Sequence, residues 1–155
     1  MRTIVRSLVA LAAAAALAAQ TAPPAQKPAG EPDRITVQHI LVSFQGSAGT
    51  VPGVTRTQVA ARALAEAILT QARQGADFGA LVKQHTDDSP PGIYRMANFG
   101  VEPVLSPPSK REYARARMVA AFGDVGFKLR AGEIGLAVYD PVKSKYGWHI
   151  IKRLE

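Results

Sequence analysis

From Ile35 onward the chain switches between two hydrophobic periods. Residues 35–44 form a run of apolar and β-branched side chains that predicts a strand. Thr55 or Thr57 can cap the helix that follows, where Val59, Ala63, Leu64, Ala67 and Ile68 recur at three- and four-residue spacing and Gly75 marks the stop. A shorter helix over 77–85 gathers Phe78, Leu81 and Val82 on one side. Strong turn chemistry over 86–92 leads to a short strand within 93–101, around Asn98-Phe99-Gly100. After the Pro-rich break at 106–108, Ser109 is expected to cap a third helix running to about Phe122. A turn over 129–133, an apolar stretch over 134–138 and a strand over 148–151 close the chain. This order, without internal repeats, predicts an α+β domain with an antiparallel sheet.

The first residues follow another pattern. Arg2 and Arg6 precede an almost pure Ala/Leu run over 8–19, followed by small-residue sites such as Ala16-Leu17-Ala18. That is the pattern of a signal peptide, assigned to 1–19, and the run is short of the ~20 apolar residues a membrane span needs. An uncleaved anchoring helix is the alternative. Residues 20–34, rich in proline, are expected to be a linker, leaving one domain over 35–155. The expected destination is the periplasm or the exterior, with no stable membrane insertion after cleavage.

Composition narrows the chemistry. The chain contains no cysteine, so thiol catalysis, disulfides and thiolate metal sites are excluded. The formal charge of +7 becomes +5 once Arg2 and Arg6 are removed. The remaining basic residues are scattered without an aromatic-interleaved stripe, so nucleic acid is not an expected partner. The spacings of His39, His85 and His149 match no zinc motif, and neither metal nor cofactor is expected. Two histidines nevertheless stand out. His39 and His149 each sit inside an apolar strand, one near either end of the domain, where an imidazole must find hydrogen-bond partners.

The ordered set His39-Ile40-Leu41-Val42, Gly75-Ala76-Asp77-Phe78, Thr86-Asp87-Asp88-Ser89, Asn98-Phe99-Gly100, Met118…Phe122, Phe127-Lys128-Leu129 and Tyr146-Gly147-Trp148-His149-Ile150-Ile151 resembles the parvulin family of peptidyl-prolyl cis–trans isomerases. The resemblance covers about residues 35–155. It implies a small antiparallel sheet of about four strands surrounded by about four helices. It further implies an isomerase acting on X–Pro bonds in unfolded or partly folded protein segments, and a monomer is expected. A module that binds such segments without turnover is the alternative.

Carried over by this resemblance, Phe99, Met118 and Phe122 would form a proline pocket. Met118 and Phe122, four residues apart, would also share a helical face. His39 and His149 match the family's paired histidines, whose role is either structural support or tuning of the site. Asp88 matches a position that holds cysteine or aspartate in the family. A carboxylate there fits a non-covalent mechanism, with turn formation as its other role. Ser144 matches a hydroxyl residue before the last strand. The chain departs from the family pattern by added residues at 101–108 and 136–142, by Ala97 in place of a glycine and by Val119 in place of a polar residue. The loop over 43–57 carries one basic residue, Arg56, which makes a poor site for a phosphate dianion and predicts no phosphate requirement.

Overall fold

The computed structural model describes residues 25–49 and 51–155, so the expected signal peptide and the first residues of the linker lie outside it. β1 (Arg34–Val42) is the central strand of a five-stranded sheet. It pairs antiparallel with β2 (Ile93–Ala97) on one side and with β5 (Trp148–Arg153) on the other. β4 (Ile134–Ala137) extends the β5 edge antiparallel, and β3 (Tyr113–Ala114) adds two residues parallel to β2. Both faces of β1 are buried, as its near-continuous apolar run requires.

The register of β1 with β5 sets His39 opposite Ile151 and Leu41 opposite His149. The two histidines are therefore diagonal neighbours on one face. Gly147 makes the approach possible. Its φ is +144°, and a Cβ there would lie 2.2 Å from the Val42 carbonyl oxygen.

α1 (Gln58–Arg73) is capped by Thr57, whose hydroxyl accepts from the Ala60 N–H at 3.2 Å. Its buried stripe is Ala61, Ala65, Ile68 and Ala72, while Val59, Ala63 and Ala67 are exposed. The helix carries more apolar positions than its buried face needs, and alanine says little about orientation. α2 (Phe78–His85), capped by Asp77, buries Phe78, Leu81 and Val82 as expected. Both helices cover the sheet face that presents Ile40, Val42, Trp148 and Ile150. α3 (Ala120–Gly126) covers the opposite face, over Ile35, Val37, Met96 and Ile151.

The α+β class holds, and the described residues form five strands instead of about four and three α-helices instead of about four. The largest change is at 109–122. No continuous helix forms there. The chain makes a 3-10 turn at Pro108–Lys110, the β3 strand and a second 3-10 turn at Arg115–Arg117 before α3 begins. Tertiary contacts explain this. Glu112 holds the Val104 N–H and Arg34, and Arg115 is drawn inward by carboxylates, so the backbone follows anchors instead of its own periodicity. Asn98-Phe99-Gly100 is the turn after β2 and not a strand. The end of the Pro-rich segment also packs: Glu31 is almost buried, and the Asn98 amide donates to the Pro32 carbonyl at 2.9 Å. No helix among the described residues is long and apolar enough to cross a membrane.

Candidate active site

The face under α3 opens into a cleft of about 380 Å³ whose walls include His39, Asp88, Tyr94, Met118, Phe122 and His149. β1 and β5 supply the histidines, and the turn after α2 supplies Asp88. Thr86 shapes that turn: its hydroxyl accepts from the N–H groups of Leu41 at 3.1 Å and Asp88 at 3.2 Å. The Asp87 N–H then donates to the Leu41 carbonyl at 2.9 Å, fastening the turn to β1.

A polar relay runs along the floor. Asp88 Oδ2 lies 3.1 Å from His39 Nε2 and accepts from the Tyr94 hydroxyl at 3.1 Å, while its Oδ1 accepts from the Ser89 N–H at 2.7 Å. His39 Nδ1 lies 3.3 Å from His149 Nδ1, with the rings stacked at 26°. The hydrogen bond from His39, helped by the Ser89 N–H and Tyr94, holds the Asp88 carboxyl down to about 2 against the effect of burial. Burial, reinforced by His39, pushes the His149 imidazole down to about 3, so it is neutral at ordinary pH. Burial first, then the Asp88 charge, raises the Tyr94 phenol to about 12, which keeps it a hydrogen-bond donor.

One proton order that satisfies these contacts leaves the His149 imidazole neutral. His39 donates from Nε2 to the carboxylate, and His149 donates from Nδ1 to His39. His149 Nε2, buried and without a hydrogen-bond partner among the described residues, is left as a bare acceptor.

The apolar wall is Met118 and Phe122. The Phe122 ring stands edge-on to both imidazoles, at 5.1 Å from His39 and 5.4 Å from His149. Met118 follows the second 3-10 turn and Phe122 lies on α3, so the pair meets the cleft from two elements instead of one helical face. Ser144 is fully buried and donates to the Gly147 carbonyl at 2.9 Å, shaping the entry to β5 with no direct bond to the relay. Phe99 is not among the residues lining the cleft; its ring packs on the Arg115 guanidinium at 4.5 Å.

The residues missed from sequence are Tyr94, Asp87 and Thr86. Tyr94 pairs with Val37, which shares the His39 face of β1, so a tyrosine on the neighbouring strand was the available signal. Asp87 accepts from the Ser43 N–H at 2.8 Å and the Ser43 hydroxyl at 2.9 Å, and it pairs with Arg56. The loop's single basic residue is thereby spent on fastening the loop.

A family model described as a PPIC-type PPIase domain matches residues 25–155. The chain belongs to this family, the parvulin-type peptidyl-prolyl cis–trans isomerases, whose activity serves protein folding. Over 90 residues it is 38% identical to the foldase protein PrsA of Geobacillus sp. (strain WCH70), covering 57% of this chain and 26% of that protein. Over 131 residues it is 30% identical to the foldase protein PrsA of Bacillus subtilis (strain 168), covering 84% of this chain and 39% of that protein. The chain thus spans well under half the length of these curated relatives. The structure of the peptidyl-prolyl isomerase ESS1 from Candida albicans superposes with a TM-score of 0.55 at 16% identity, covering 79% of this chain and 63% of that one, a likeness of fold.

Proposed function

We propose that this chain catalyses rotation about X–Pro bonds of exported, folding proteins without a covalent intermediate and without requiring a phosphate. The observation that carries the reading is the junction of an apolar wall, Met118 and Phe122, with an anionic carboxylate held by the histidine pair. A planar amide places partial negative charge on its oxygen, and twisting the C–N bond removes that charge as resonance is lost. The barrier is roughly 18–20 kcal/mol. A fixed carboxylate near the oxygen disfavours the planar form more than the twisted one, while the apolar wall grips the ring in both. His39 orients the carboxylate and keeps it ionised, and His149 backs His39 from the other side. Met118 and Phe122 are the proposed ring contacts, and Ser144 supports the strand that carries His149.

Export is supported by the Arg2, Arg6 and Ala/Leu pattern at the N-terminus. The absence of a phosphate requirement is supported by Arg56, which is already paired with Asp87. The test is NMR exchange on unphosphorylated X–Pro peptides, where uncatalysed isomerisation takes tens of seconds. The chain should accelerate exchange, and folded Met118→Ala should lose most of that acceleration. Glutamate-proline and phosphoserine-proline peptides should differ by less than about tenfold. Binding without acceleration on any peptide would make the chain a holding module instead.

A further inference from the structure

Arg115 is 5% exposed, although its neighbours Lys110, Arg111 and Arg117 all lie in water. Its guanidinium donates to the Glu31 carboxylate, to Asn98 Oδ1 at 2.9 Å and to Asp124 Oδ1 at 2.8 Å. It also lies between two rings, 4.5 Å from the centre of Phe99 and 4.8 Å from that of Phe127. Glu31 is nearly as buried, with 8% of its side chain exposed, and also accepts from the Asn98 amide at 3.1 Å. The absence of a side chain at Gly123 admits the arginine stem; a Cβ there would lie 3.0 Å from Arg115 Cγ.

A buried ion pair is a poor way to gain stability, since packed apolar side chains do as well or better. Its location points to another use. The Arg115 carbonyl accepts from the Met118 N–H at 3.0 Å, and its guanidinium reaches Asp124 on α3. Arg115 therefore holds the chain on both sides of Met118 and Phe122. Neither Glu31 nor Arg115 lines the cleft, so neither can touch a substrate held there.

We infer that Glu31 and Arg115 are positioning residues for the proline pocket. Through this pair, the segment before β1 becomes a working part of the isomerase instead of a tether. The inference rests on the isomerase reading above, with Met118 and Phe122 as the pocket wall. Arginine is required because one planar group must meet three oxygen acceptors and two ring faces at once.

The test uses the full chain, and its first arm is wild-type activity. No acceleration by wild type would remove the isomerase reading, and this inference with it. Given an active wild type, Glu31→Ala should lower kcat/KM about tenfold, with most of the change in KM, because the wall is displaced while Asp88 and the histidines stay in place. The Met118 methyl resonance should shift while the indole resonance of Trp148, on the other side of the sheet, stays put. Glu31→Gln keeps the hydrogen bonds and loses only the charge, so it should recover part of the activity. Should Glu31→Ala not fold, Glu31→Gln carries the test with a fall of about threefold in kcat/KM. Wild-type KM together with an unmoved Met118 methyl in the folded variant would overturn the inference while leaving the isomerase reading intact.

Discussion

On the face of β1 and β5 that meets α1 and α2, Ile40, Val42, Trp148 and Ile150 are no more than 4% exposed. On the opposite face His39 and His149 are buried just as deeply, at 3% and 4%. The same two strands thus carry two kinds of interior. The first gains from every apolar group removed from water, at about 25 cal/mol per Å², and needs no particular partner geometry. In the second, each imidazole must be paired or cost free energy. The pairing ends at Asp88, whose side chain is 34% exposed and so can meet a substrate. Equal burial therefore carries opposite demands: shape alone on one face, proton order on the other. Only the second face should respond to pH.

The comparison breaks most visibly at Ile150, which is fully buried on the apolar face. Ile150→Ala should cost about 2–5 kcal/mol in urea unfolding, from lost burial plus the cavity left behind. The kcat/KM of the folded fraction should stay within about twofold, because the side chain has no contact with the relay. A stable variant with crippled activity would show that the two faces are coupled through β5.

The difference between the faces also decides what the sequence disclosed. Strands β1 and β5 and helix α2 were legible because long apolar runs and a clear Phe78/Leu81/Val82 stripe leave few alternatives. The histidine pair was legible because an imidazole inside such a run has few explanations. The path from Gly100 to Met118 was not legible. Its course is set by Glu112 reaching Arg34 and by Arg115 reaching Glu31, partners 78 and 84 residues away. No local period encodes such contacts. Phe99 shows the cost: it looks like a pocket residue in the linear pattern, yet Arg115 claims its ring. The fold class follows from periodicity, whereas the course of this segment depends on long-range ion pairs that periodicity does not register.

A pH series sharpens the comparison. In the unfolded chain His149 takes up a proton near its ordinary 6.5; in the fold, burial delays this to about 3. Between those values the unfolded state binds more protons, so its contribution is fully present above about 6.5 and declines as pH falls. The slope should reach ~1.4 kcal/mol per pH unit. Asp88 acts with the same sign in a lower window, losing its contribution as pH falls from 3.8 towards about 2. Urea unfolding at pH 7, 6 and 5 should therefore show a stability loss that is about one proton shallower in His149→Gln. Equal slopes would mean that His149 is already protonated in the native state, and the proton order assigned to the relay would fall.

The smallest effect is expected at Tyr94. Tyr94→Phe keeps the ring that stands edge-on to His39 at 5.2 Å and to Phe122 at 5.9 Å, and removes only the hydroxyl that donates to Asp88. Asp88 retains His39 and the Ser89 N–H, and its exposed part can recruit water in place of the phenol. The loss should be about 1 kcal/mol of stability and a two- to fivefold fall in kcat/KM. Because the lost bond favours the ionised carboxyl, the Asp88 titration, followed by NMR at its carboxyl carbon, should move upward from about 2 while remaining below 3.8. The size of the activity change then separates two roles for the phenol. A modest fall that tracks the Asp88 shift means that Tyr94 acts through the carboxylate. A fall of tenfold or more with an unmoved Asp88 would mean that the hydroxyl meets the substrate directly, and the polar half of the cleft would then extend from Asp88 to β2.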